Sequence, residues 1–276
     1  MRVITYREEG VATAVGAILT ILVFVILLTV FVTSYLPAEM TGYEETYSSN
    51  LMKSVMEVDS SVNLLFIEFR DGEIVTVPFS LESGSVPVIS SPTVGTLSIL
   101  PSSSGFISVS NDTTKISSSG GVSAETNNRY YVDQTYYYEL STIINSQEVN
   151  GSSLGNIVES NLVTAQRGDN GTIILSVHLV NLEGGPISIS YPGPVILNLE
   201  AFSEQEYQLN GNVTIFIQSQ FSQQIYSMIA AALAPFTSLS IQHTITGDNL
   251  SLSISPNGAT VMTDVSEITI MGGLSS

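Results

Sequence analysis

The chain has 276 residues and no cysteine, which excludes disulfide frameworks, thiolate zinc sites and cysteine nucleophiles. Its 25 acidic residues face 7 basic ones, and because Arg2, Arg7, Glu8 and Glu9 cancel, the net charge of −18 resides beyond Glu9. So acidic a surface repels phosphate backbones and anionic lipids, and nucleic acid is excluded as a partner.

The first element is Val11 to Leu36, 26 residues without a charge. As a helix it spans ~39 Å, enough to cross a hydrocarbon core of ~30 Å with some tilt. A secretory h-region is only about 7–15 residues long, and the nearest small-x-small site, Val32-Thr33-Ser34, is a mediocre one. The reading is therefore a transmembrane helix over 11–36. Arg2 and Arg7 favour a cytoplasmic tip at 1–10 and an extracellular C-terminal part. Gly10/Ala14 and Ala12/Gly16 lie four apart, a spacing at which helices approach closely in an apolar medium.

Proline is tolerated inside a helix only with a break, so Pro37 predicts a kink. Beyond it the pattern turns amphipathic. Leu51, Val55, Val58, Val62 and Leu65 recur at helical spacing, with Glu44, Glu45, Lys53, Glu57 and Asp59 off the stripe. This predicts a helical continuation over 37–61 that packs on its own domain.

From about Val62 onward the chain reads as β. Runs such as EIVTVPFS, GTLSIL, GFISVS, GTIILSVHLVNL and PVILNLEAF alternate apolar with small polar residues between Gly, Pro and Asp. Asp71 to Glu73 reads as a hairpin turn rather than a calcium loop, since no EF-hand spacing surrounds it. Phe221, Ile225, Met228, Ile229 and Leu233 form one helical stripe that stops near Pro235, and a hairpin about Gly247-Asp248-Asn249 comes next. The expected fold class is α+β: a long N-terminal helix, a mainly antiparallel sandwich-like region and one additional C-terminal helix. The expected divisions are a β-rich extracellular domain at 62–205 and an α+β part at 206–276.

Five N-x-S/T sequons, at Asn111, Asn150, Asn170, Asn212 and Asn249, all lie in the outer part and are candidate glycosylation sites. The segment NNRYYVDQTYYYE holds Tyr130, Tyr131, Tyr136, Tyr137 and Tyr138, which suit either a carbohydrate- or peptide-binding face or two strands with rings divided between core and surface. His178 and His243 sit on separate strand-like runs and read as strand histidines rather than metal ligands. No HExxH, GxSxG, phosphate loop or dinucleotide fingerprint occurs, so neither an enzyme nor a cofactor is expected.

The segment EEGVATAVGAILTILVFVIL resembles the N-terminal signature of archaeal type IV pilin-like proteins, in which a glycine precedes a GV-small-x-VG-x-IL helix. The helix exit YLPAEMTGYEETYSSNLMKSVMEVDSSV, then SSPTVGTLSI, NNRYYVDQTYYYE and LSVHLVNLEG are similar, in that order, to one subgroup of such surface proteins whose outer domain has no assigned function. The resemblance implies export by the general secretory route and leader cleavage between Gly10 and Val11 by a prepilin-type peptidase. It further implies helices that bundle into a filament core or stay in the membrane. The chain departs from the pattern at Glu8 and Glu9, where leaders usually carry basic residues, and at Val15, where bacterial pilins carry a glutamate. The expected role is that of a membrane-anchored surface protein, structural or adhesive, which partners the membrane, itself or other pilin-like subunits. The alternative is an anchored ectodomain that binds carbohydrate or peptide without polymerising.

Overall fold

The computed structural model describes residues 4–86, 90–100, 105–149, 152–168 and 171–276. Helical geometry runs without interruption through α1 (Ile4–Val30), a π-helical turn (Phe31–Tyr35) and α2 (Leu36–Ile67). Pro37 explains the turn between them. It has no N–H, and its ring crowds the carbonyl four residues back. The backbone widens to make room, and the Leu36 N–H bonds to the Phe31 carbonyl, five residues away. The break expected at Pro37 takes this form, and the helix continues beyond it.

The apolar stripe of α2 persists through Val62 and Leu65, both 1 % exposed, so helix extends to Ile67 where the sequence suggests β structure from Val62. The hairpin expected at Asp71–Glu73 is instead the turn that joins α2 to the first strand. Gly72 adopts φ +77° there, a conformation glycine takes without strain, and its N–H bonds to the Ala201 carbonyl at 2.8 Å.

Among the described residues the β region forms three sheets. The first orders β1 (Ile74–Ser80), β12 (Pro194–Asn210), β16 (Val261–Ser275), β10 (Ile173–Glu183) and β9 (Val163–Arg167). The second orders β11 (Ile187–Ile189), β2 (Thr96–Leu100), β5 (Gly121–Glu125), β6 (Gln134–Glu139), β7 (Thr142–Val149) and β8 (Ser152–Ser160). The third orders β14 (Leu239–Thr246), β15 (Asn249–Pro256), β13 (Val213–Gln218), β3 (Phe106–Ser110) and β4 (Lys115–Ser119). Among these neighbours only β10 and β16 run parallel. The fold is α+β with a β-rich C-terminal region, as the sequence indicates.

Among the described residues two apolar cores lie along the molecule. The core beside α2 gathers Leu51, Val55 and Val58 with Val77 and Phe79 of β1 and Leu197 and Leu199 of β12. The other gathers Ile225, Ile229 and Leu233 of α3 (Ser222–Leu233) with residues of β9, β10, β13 and β15. The second sheet serves both, because alternate strand residues point to opposite faces. Tyr136, Tyr138 and Ile143 face the α2 core, whereas Tyr137 and Ile144 face the α3 core. The expected division at 205/206 falls inside β12. Strands from both sides of it interleave: β16 runs between β12 and β10, and β13 pairs with β3.

Candidate functional site

The bare part of the long helix and the seat that holds its other part form the candidate site. From Ala12 to Val30 every residue is exposed, including Ile18, Phe24 and Leu27 at 64–65 %. One N-terminal helix is therefore long and apolar enough to span a membrane. Three of its hydroxyls are satisfied within the helix. Thr20, Thr29 and Thr33 donate to the carbonyls of Gly16, Val25 and Thr29 at 2.9, 2.7 and 2.8 Å. In hydrocarbon that matters, since an unsatisfied polar group there costs several kcal/mol. The Gly10–Val11 bond, the candidate cleavage position, lies in α1.

Leu36, 7 % exposed, is the first buried residue along the helix among those described. From there α2 is fastened to the β region by polar contacts as well as by its stripe. Glu44 is fully buried, although the sequence pattern sets it off the apolar stripe, and its carboxylate accepts three consecutive backbone N–H groups. Arg129 and Tyr131 donate at 3.0 and 2.8 Å, and Tyr130 at 2.7 Å. Such a nest of N–H donors stabilises a carboxylate without a basic side chain. Farther along, the Tyr47 hydroxyl donates to the Leu81 carbonyl at 3.3 Å, and Ser54 donates to the Pro78 carbonyl at 3.0 Å. Tyr47 lies so close to Gly95 that a Cβ there would fall on its hydroxyl.

Asp59 is the second buried carboxyl of α2. Asn63 and Asn161 donate to it at 2.9 and 3.3 Å. Burial pushes its pKa up to about 6, the charge of Glu159 adds to the rise, and the bond from Asn63 opposes it. The sequence offered no signal for either carboxyl, because an acid off an apolar stripe ordinarily faces water.

The five tyrosines do not share one surface. Tyr136 and Tyr138 are buried in the α2 core, and the Tyr136 hydroxyl donates to Gln134 Oε1. Tyr137 faces the opposite core, its ring 5.2 Å from that of Phe221. Tyr130 and Tyr131 lie in the loop before β6, with Tyr130 exposed. Rings divided between core and surface were one of the two sequence expectations; the other, a single binding face of all five, is overturned by this division. The mixture arises because β6 is covered on both sides.

Of the sequons, Asn111 uses its side chain to build the β3–β4 turn, accepting from the Thr113 and Thr114 N–H groups at 3.1 and 2.8 Å. Asn212 and Asn249 are exposed at the starts of β13 and β15. Asn150 and Asn170 lie outside the described residues. His178 sits on β10 with its ring edge-on to Phe66 at 5.8 Å, and burial lowers its pKa. His243 sits on β14 and stacks on Tyr226 at 3.9 Å.

One recess, about 320 Å³, lies where β6, β13 and the β14–β15 turn meet, lined by Tyr137, Glu139, Ser219 and Asp248 among others. Ser219 donates to Glu139, and burial raises the pKa of that carboxyl. Among the described residues no three His, Asp or Glu side chains gather as metal ligands.

Fold and site together define an α+β chain with an N-terminal helix suited to a membrane span. Compared with protein-family models, curated proteins and solved structures, the chain matches none.

Proposed function

We propose that this chain is an exported, pilin-like surface protein held in the cell membrane by its N-terminal helix, with a structural or adhesive role as a minor subunit of a type IV filament system. The observation that carries the reading is the division of one continuous helix. Its first part presents apolar side chains on every side, and its second is fastened to a large β region by a stripe and two buried carboxyls, Glu44 under the Tyr130 loop and Asp59 under Asn161. A subunit that polymerises through a helical core, or waits in a membrane before doing so, requires that division. The N-terminal resemblance to archaeal pilin-like proteins points the same way, with Gly10 preceding the apolar run. In this reading the β region is extracellular, and among the described sequons Asn212 and Asn249 are the best-presented glycosylation positions.

The test is N-terminal sequencing of the protein isolated from membranes and from sheared surface fractions, combined with electron microscopy. A mature start at Val11 and the protein's presence in filaments are the expected results. A start at Met1 or Arg2 with no filaments rejects the pilin version and leaves an anchored ectodomain.

A further inference from the structure

The end of the β region nearest the bare helix has a surface of its own. Because burial begins at Leu36, directly after the apolar stretch, no flexible stalk separates the two. The loop between β5 and β6 meets α2 at Thr41 and Glu44, only about 9 and 14 Å of helical rise beyond Tyr35. The backbone N–H groups of Arg129, Tyr130 and Tyr131 are turned inward to Glu44, while the Tyr130 and Val132 side chains are 41 % and 48 % exposed. On the helix itself Tyr35 and Tyr43 are 53 % and 37 % exposed. In sequence, Ser83 to Asn111 carries no charge in a chain whose net charge is −18, and Ser90, within that stretch, reaches Met40 Sδ at 3.3 Å.

Tyrosine, with an apolar ring and a polar tip, is favoured where hydrocarbon gives way to headgroups. A hydrocarbon core of ~30 Å takes up about 20 helical residues, so a span within 12–35 brings Tyr35 to that boundary. We propose that Tyr35, Tyr43, Tyr130 and Val132 form a foot that rests in the headgroup layer of a lipid bilayer. The β region is thereby seated on the membrane at a set depth and orientation. Glu44 is the positioning residue, since it holds the loop against the anchor helix. Net acidity makes uncharged or zwitterionic headgroups the fitting partner rather than anionic ones. The foot rests on the membrane-anchor reading and adds to it where the domain sits.

The lack of native cysteine permits single-cysteine labelling. Val25→Cys, Val132→Cys and Asn210→Cys variants of the full chain would carry an environment-sensitive fluorophore. Each is reconstituted in phosphatidylcholine vesicles bearing nitroxide quenchers either at the headgroup or at the acyl-chain centre. The Val25 label reports the anchor, and the Asn210 label reports the far end of β12. Expected are deep quenching at Val25, roughly halved emission at Val132 with the headgroup quencher, and unchanged emission at Asn210. An unquenched Val132 label beside a quenched Val25 label overturns the foot and leaves the anchor standing. An unquenched Val25 label overturns the anchor and the foot together. A Val132 label shielded only in lipid-free filaments assigns the surface to a second subunit and likewise overturns the proposal.

Discussion

Two stretches of one helix, α1 and α2, meet entirely different surroundings. In α1 apolar side chains point in every direction and none of those described is buried, whereas in α2 they form a stripe that is buried almost completely. The difference lies in the pattern rather than in helix formation, since both have the same backbone geometry apart from the π turn before Pro37. A stripe can be satisfied by one neighbouring sheet; an all-round apolar surface needs a solvent of the same kind. One molecule therefore carries both a folding element and a surface whose partner lies outside it.

That contrast breaks most sharply under a buried charge. Val55→Asp puts a carboxylate into the α2 core and is expected to cost roughly 4 kcal/mol or more, enough to unfold the β region. Leu22→Asp, by contrast, should leave the thermal melt of the detergent-solubilised protein unchanged while reducing its retention in membranes. Melting curves and membrane fractionation of the two variants decide it, and an equal loss of stability in both would erase the distinction.

Two adjacent acids give the next contrast. Glu44→Ala leaves three inward N–H groups without their acceptor and is expected to destabilise by about 2–4 kcal/mol. Glu45→Ala, on the exposed side, should stay within about 0.5 kcal/mol. Denaturant titration of both measures the seat directly.

Asp59 adds a dependence on pH. Its folded pKa of about 6 lies above the ordinary value of 3.8, so between these limits the folded protein holds more protons than the unfolded chain. Its contribution to stability is full below that window and falls as pH rises through about 6. Asp59→Asn is therefore expected to raise stability at pH 7–8 by roughly 1–3 kcal/mol and to flatten the slope between pH 4 and 6. Melting temperatures across that range would show no change in slope if the carboxyl were effectively solvated.

The smallest effect marks the end of the helix. Ile67 is 81 % exposed, and Ile67→Ser should change stability by about 0.5 kcal/mol or less. Leu65→Ala, two residues earlier, is expected to cost about 2–5 kcal/mol by leaving a cavity. Comparable losses in the two would mean that the stripe does not end at Leu65.

Periodicity made the membrane-length helix, the stripe from Leu51 to Leu65, α3 and the β14–β15 hairpin legible, because each depends on a local pattern of apolar and turn residues. The helix runs six residues past the expected end at 61, since Val62, Leu65 and Phe66 suit strand and helix alike and only packing on β1 and β10 decides between them. β16, the strand that ties the first sheet together, lies parallel to β10 across a long sequence separation and gives no local sign of that pairing.

The sequence by itself determined that an apolar, charge-free helix leads into an acidic, cysteine-free and mainly β chain, because charge, length and periodicity are properties of neighbouring residues. Only the tertiary structure decided that Tyr136 and Tyr138 belong to one core and Tyr137 to another, and that Glu44 is fully buried against the loop of Tyr130. Those outcomes depend on which elements meet across the fold. A carboxylate is buried at little cost only where three backbone donors from a distant segment arrive to receive it.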